Sequence, residues 1–437
     1  MKNYRKFLPI ILIFAMLLSW YALFSDVITS TRQYNEYLSI AREKRDVGIT
    51  VLAVENYNKA LEIKDNPDIY VEVADFYAEQ GETRRYVEWC EDFFNSHPKE
   101  PKAYDCILKA YYTEKDYKSC YDIIYTAEKR HIKTDYLTEI SNTIYYFYEM
   151  DYASYEDVSI FSNNLSAVKN KGKWGYVNRY GVKRVPCRYD EVGVFTNTGC
   201  APVCDKEGAV YFIDQEGNKI MATNDAYILF GNFSNNLIAA QKTDNKYTYL
   251  NEKFEIQFGE YDYASSMNGD IAAVKNGDVW SIINAKGEIA IQQDFADVLL
   301  DEKEIAYRNE RLFVKTTDGQ VMMINAKGQQ IGSQTFEDAK AFADHSYAAV
   351  KIGGKWGFVD KEGNIKIEPQ FNDARSFSNG LAAVKIDDKW GFIDEDGTVC
   401  IEPAFYDAKD FNEKGSCFVN VGESWQLLKI YRLNRED

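Results

Sequence analysis

Histidine is scarce in this 437-residue chain: there are three, His97, His131 and His345. They lie in different segments with no Ser or Cys partner motif, so nothing in the sequence assembles a catalytic triad. Positive charge is also short. Against 68 Asp and Glu stand 51 Lys and Arg, a net charge of −17. That balance excludes the positive footprint by which nucleic acid is bound, and it disfavours anionic lipid or polymer surfaces. Partners should be neutral or basic, or bring divalent cations. There is no Gly-rich phosphate loop and no dinucleotide fingerprint, so no cofactor is expected. The eight cysteines follow no metal spacing, and Cys200-x3-Cys204 has no second pair nearby. Most read as small buried apolar residues. Asp394-Glu395-Asp396-Gly397 opens like a calcium loop but lacks the remaining ligands, so no metal site is expected.

What is present is repetition. KWGFVDKEGNIKIEPQFNDARSF (355–377) and KWGFIDEDGTVCIEPAFYDAKDF (389–411) are 34 residues apart, and each follows an apolar run ending Ala-Ala-Val-Lys. With the Trp of Trp-Gly as register mark, eight copies fall at Trp174, Val210, Tyr247, Trp280, Val321, Trp356, Trp390 and Trp425. Five of the seven tryptophans occupy this one position, which indicates repeated packing and not a shared active site. Trp174, Gly175, Trp280, Trp356, Gly357, Trp390, Gly391 and Trp425 are the structural repeat residues.

Each unit reads as β structure. Leu381–Ile386 is a strand, Asp387-Asp388 a turn, and Trp390, Phe392 and Asp394 share one face of a second strand. Gly beside Trp suggests a bulky side chain of a neighbouring unit packed over it. Asx-x-x-Gly, as in Asp360…Gly363 and Asp394…Gly397, marks a side-chain-capped turn closed by a positive-φ glycine. The third copy has Phe254 in place of that Gly, so its turn should be irregular. A third strand should end at Glu-Pro, because Pro cannot donate to a sheet, and Ala-x-x-Phe supplies a short fourth. Four strands in about 35 residues suggest a compact propeller blade. The series opens at Tyr155–Phe161, which resembles the end of a unit, and closes after Trp425 without third and fourth strands. An N-terminal piece could therefore complete the last unit and shut a ring, sheltering the sheet edges. An open β-solenoid is the alternative. The Lys-Trp-Gly-Phe and Glu-Pro pieces resemble the bacterial WG-repeat (KWG) family over residues 155–437. That resemblance implies a functionally broad module often found in envelope-associated proteins.

The front half differs. Lys2, Arg5 and Lys6 precede Phe7–Phe24, a run without charge. At 1.5 Å per residue it approaches the ~30 Å of a hydrocarbon core. The reading is a short cytoplasmic segment (1–6), an uncleaved transmembrane signal anchor (7–24), and the bulk of the chain outside the cell membrane, with a cleaved signal or a buried soluble helix as the competitors. From 34 to 150 the period is helical: Pro67, Tyr70, Ala74, Tyr77 recurs as Pro101, Tyr104, Leu108, Tyr111. This 34-residue period resembles tetratricopeptide repeats, with departures at Tyr86 and Leu108. The expected fold is thus α+β multidomain: a transmembrane helix, a short α-solenoid, and eight β repeats.

Three functions fit these features. The first is a membrane-anchored, envelope-facing scaffold, not an enzyme, holding protein or peptide partners on its helical and β repeats. The second is a carbohydrate or cell-wall-binding module using loop-tip aromatics such as Tyr227, Tyr261, Tyr263 and Tyr347. The third is a hydrolase in a propeller funnel, for which the non-repeated stretch Leu299–Arg311 is the nearest candidate.

Overall fold

A computed structural model describes residues 20, 27–222, 227–343 and 346–430. The chain divides into two compact units, Met1–Tyr145 and Tyr146–Asp437.

The first unit is helical: α1 (27–46), α2 (Thr50–Ile63), α3 (Pro67–Glu79), α4 (Thr83–Ser96), α5 (Pro101–Thr113), α6 (Tyr117–Lys129) and α7 (Asp135–Thr143). Pro67 and Pro101 each take the first helical position, where a missing N–H costs nothing. The 34-residue period places Gly81 (φ 68°) and Lys115 (φ 60°) at equivalent turns, where the chain must enter the left-handed region. Tyr86 and Leu108, large where small residues were expected, are buried and fill the space between helices. Alternate helices are tied at the same interval: Asp68 pairs with Lys102, and Asp75 with Lys109 at 2.9 Å.

The membrane-spanning helix expected at residues 7–24 is corrected. Among the described residues no helix is long and apolar enough to cross a membrane. A span needs about 20 predominantly apolar residues, whereas α1 carries Arg32, Glu36, Arg42 and four further charges by Asp46. Residues 7–24 themselves lie, Trp20 apart, outside the described ones. Among the described residues, then, neither the anchor in the expected fold class nor the single-pass localisation finds support.

The second unit is a ring with, among the described residues, eight antiparallel sheets, seven of four strands and one of three. Blade 1 shows the plan: Asp157–Val158, Leu165–Asn170, Lys173–Asn178 and Lys183–Tyr189, in that order across the sheet. Blades 2 to 7 begin at Glu191, Tyr227, Tyr263, Asp297, Asp338 and Asp373. Blade 8 has Asp407–Ala408, Ser416–Asn420 and Trp425–Ile430, and its outer strand is Tyr148–Tyr155, from the other end of the unit. That pairing closes the ring and excludes the open solenoid. The closing strand ends at Tyr155, so the piece beginning there opens blade 1.

Two local expectations are revised by register. Glu-Pro does not end a strand: Val399–Phe405 runs through Pro403, and its pairing with the Trp390 strand slips between Ile401 and Phe405. Gly391 sits under that bulge. A Cβ there would lie 2.5 Å from the Ile401 carbonyl oxygen and 2.8 Å from the Pro403 nitrogen. The close approach comes from the blade's own outer strand and not from a neighbouring unit. Gly357 meets Ile367 and Pro369 in the same way. In blade 4, where Ser281 replaces the Gly, Gln293 stands in place of the Pro. The turn at Phe254 is also regular. Phe254 adopts φ 59°, and Asn251 Oδ1 accepts the N–H of Lys253 and Glu255 as in the Gly-containing copies. Its ring packs 5.5 Å from Phe212, an apolar contact that offsets the strained backbone.

Candidate functional site

In each blade a short first strand, of two residues except for Tyr227–Phe230 in blade 3, leads into a loop, and these loops gather at one end of the ring. Blades 1 and 7 form two-residue hairpins there. Ser162 and Leu165 exchange backbone hydrogen bonds of 2.8 and 3.1 Å, with Asn163 and Asn164 both at positive φ. Asn tolerates that geometry because its short amide bonds locally. The same Ser and Asn reach the next blade. Ser162 Oγ donates to the Phe195 carbonyl at 2.7 Å and Asn163 Nδ2 to that of Thr196 at 2.9 Å. Ser378 and Asn379 repeat both bonds to Phe411 and Asn412. Asn268 Nδ2 reaches the Tyr307 carbonyl at 2.6 Å, and Asn235 that of Gly269. The mouth is thus fastened blade to blade by a ladder of amides.

Blade 5 breaks the pattern. The segment Leu299–Arg311 keeps the two-residue hairpin, at Asn309 and Glu310 between Arg308 and Arg311, but adds a longer stretch before it that runs across the mouth. Asp301 Oδ1 accepts the N–H groups of Lys303 and Ile305, while its other oxygen pairs with Arg308 at 2.7 Å. Ser266 of blade 4 donates its N–H to the Glu304 carbonyl at 2.8 Å, and Asn232 of blade 3 reaches that of Lys303 at 3.2 Å. Across the ring, Glu302 pairs with Arg375 of blade 7 and, at 3.3 Å, with Lys409 of blade 8. Arg375 also meets Asp407 at 3.4 Å. Arg311 Nε also donates to the Lys361 carbonyl of blade 6 at 2.7 Å, so one loop touches five other blades.

Beside this loop lies a cavity of about 670 Å³, lined by Ser162, Asn163, Asn379, Asp410, Asn412 and residues of the loop, Asp301 to Lys303 among them. Its electrostatics are uneven. Burial, with Glu302 and Asp301 nearby, pushes the Asp410 carboxyl up to about 7 despite Arg375 and Lys409. Burial and Arg308 pull the Lys303 ammonium down. For Arg375 burial works against the charge, yet Glu302, Asp410 and Asp407 hold it above its ordinary value. Desolvation is the common cause: a charged group in a recess loses water that only a partner can replace.

The repeats of this ring match the family model described as "WG containing repeat" at residues 153–174, 174–208, 250–280, 322–356, 356–390 and 390–425. The ring is a WG-repeat array. The stretches between these matches hold Val210, Tyr247 and Val321, where Trp is lost, and also the crossing loop. A comparison with curated proteins gives no match. Among solved structures, the chain is similar to the computationally designed Ika8 protein, at 12% identity over 64% of this chain and 98% of that one, with a TM-score of 0.43. It is also similar to BamB from Moraxella catarrhalis, at 9% identity over 64% and 100%, TM-score 0.42. Virginiamycin B lyase from Staphylococcus aureus follows, at 11% over 65% and 99%, TM-score 0.34. At these scores none bears on function.

The WG tryptophans lie in the blades and away from the cavity. Trp280, Trp356, Trp390 and Trp425 are buried, Trp174 half-buried, and each carries a Lys or Arg over its ring. Of the four tyrosines proposed as ligand contacts, Tyr227, Tyr261 and Tyr263 lie in strands and Tyr347 in the loop just before Ala348. Tyr227 is buried against Phe230 of its own strand. Tyr261, Tyr263 and Tyr347 are half-buried, packing near Tyr249, Trp280 and Phe377. The cavity brings none of them together.

Sequence reading also missed a Ser-His-Asp string in the helical unit: Ser96 Oγ lies 2.8 Å from His97 Nδ1, and His97 Nε2 2.9 Å from Asp65. Its polarity is wrong for a nucleophile. Ser96 Oγ already donates to the Asp92 carbonyl at 2.6 Å, so toward the imidazole it can only accept. His97 there closes the C-terminus of α4. His131, at φ 59°, ends α6, and His345 lies outside the described residues.

Proposed function

We propose that the protein is a binding scaffold and not an enzyme, with the mouth of the WG ring as one recognition site and the helical unit as another. The observation that carries this reading is how the polar groups of the mouth are used. Its Asn and Ser residues recur from blade to blade and fasten neighbouring loops, and Asp301, Glu302, Arg308, Arg375 and Lys409 are held in ion pairs. Such a site is rigid and preformed, which favours recognition, and no nucleophile–base pair converges there. The helical unit adds the face shared by α3, α5 and α7, where the Asp68–Lys102 and Asp75–Lys109 pairs hold adjacent helices in a fixed curve of the kind that receives an extended peptide or a helix.

The test is site-specific photo-crosslinking in cells that make the protein. A crosslinking residue at Asn197 or Glu413 on the rim, or at Ala78 or Tyr112 on the helices, should give discrete protein adducts. The same residue at Glu128, on the far side of α6, should not. Adducts absent from all four positions, or equal at all five, would contradict the scaffold reading.

A further inference from the structure

Two opposite charges in the mouth fail to meet. The Asp410 carboxylate lines the cavity and, among the described residues, makes no hydrogen bond or ion pair. The Lys303 ammonium lines the same cavity and is equally unpaired. Asn412 Nδ2 is buried with no acceptor, and the Glu413 carboxylate stands unpaired at the rim. The neighbouring cations act on Asp410 only through space, and their ion pairs go elsewhere: Arg308 with Asp301, Arg375 with Glu302 and Asp407, Lys409 with Glu302, while Arg375 Nε is itself buried without an acceptor. The recess therefore holds an unsatisfied acceptor pair and an unsatisfied donor pair with space between them. Half-buried charges without a direct partner lose part of their water, and a ligand bearing both complements would replace it.

We propose that the mouth of the ring binds a small zwitterion, a free amino acid or short peptide, whose ammonium group is taken by Asp410 and Glu413 and whose carboxylate is taken by Lys303 and Asn412. The cavity, about 670 Å³, has the size of an ordinary small-ligand site. The inference rests on the mouth being a site of recognition, and it names what is recognised. It also sets a pH dependence. Asp410 faces Glu302, Asp301 and Lys303 from the crossing loop, Arg375 from blade 7, and Lys409 from its own blade. With its carboxyl up at about 7, an ammonium ligand requires it to ionise. Affinity should climb as pH rises from 6 to 8, with proton release on binding below neutrality.

Calorimetric titration of the full chain tests this with four classes of probe: free amino acids and dipeptides, the matching amines without a carboxylate, the N-acetylated acids without an ammonium, and neutral oligosaccharides. The zwitterions should bind at least about tenfold more tightly than either single-charge analogue. Asp410→Asn and Lys303→Met should each weaken binding by about tenfold or more while the melting curve stays in place. Should either variant melt early, Glu413→Gln at the exposed rim replaces it, with a loss of about threefold or more expected. Amines that bind as well as zwitterions, an oligosaccharide that binds instead, variants of unchanged affinity, or no zwitterion binding up to about 10 mM would each overturn the proposal. The readout is independent of crosslinking. A chain that binds the zwitterion yet crosslinks to nothing sinks the scaffold reading alone, and the reverse result sinks this one alone.

Discussion

A methyl group on Gly391 has nowhere to go. It would press on the Ile401 carbonyl and on the ring-bearing nitrogen of Pro403, both backbone atoms of the paired strand. Backbone cannot swing aside as a side chain can, so Gly391→Ala should destabilise the ring by about 1–3 kcal/mol, read as a lower urea midpoint at unchanged slope. Blade 4 suggests the remedy, since Ser281 there coexists with Gln293. Adding Pro403→Gln to Gly391→Ala should recover part of the loss. Additive losses would show that the two positions are uncoupled. Residue-level reading succeeded where the signal was local: the Trp register and the Asx-capped turns are visible along the chain. It misplaced the cause of the glycine because Gly391 and Pro403 are neighbours only across a strand pair. Phe254 was misjudged for a related reason. The burial that sustains its left-handed backbone comes from Phe212, in another blade.

Among elements, the hairpin at the mouth carries the blade-to-blade connection. Asn379→Ala removes a 3.0 Å bond to the Asn412 carbonyl and the amide that eases a φ of 56°. The expected cost is about 1–2 kcal/mol. Amide hydrogen exchange should quicken in Leu381–Ile386 and in the first strands of blade 8, and leave blades 2 to 4 unchanged. A uniform rise over the ring would contradict the local clasp. Ser-Asn-Asn at 162–164 and 234–236 and Ser-Asn-Gly at 378–380 stand at one offset before the apolar strand, so this ladder was legible and was overlooked. Leu299–Arg311 stood out in sequence as a break in the period. Its path over the mouth did not, because the partners Ser266, Asn232, Arg375 and Lys409 are fixed by ring closure and by nothing in the segment itself. The helical pairs were legible from Pro67 and Pro101 at helix starts, where the local rule is strong.

For the whole molecule, closure is the property on which the mouth depends. Were blade 8 incomplete, Glu302 would have no fixed Lys409 to meet, and the crossing loop would lose an anchor. The closing strand was half visible: the missing outer strands of the last repeat announced that something must fill the place. The strand that fills it, Tyr148–Tyr155, lies within a stretch whose sequence continues the helical period as far as Tyr145. The most direct test is a disulfide placed across that seam. Ser154 and Gln426 are Cα partners in antiparallel pairing, a spacing that a disulfide can bridge. In Ser154→Cys/Gln426→Cys, mild oxidation should yield one intramolecular link, found by non-reducing peptide mapping to join the two engineered positions within a monomer. No link, or a link only between molecules, would contradict a ring closed by its own N-terminal strand.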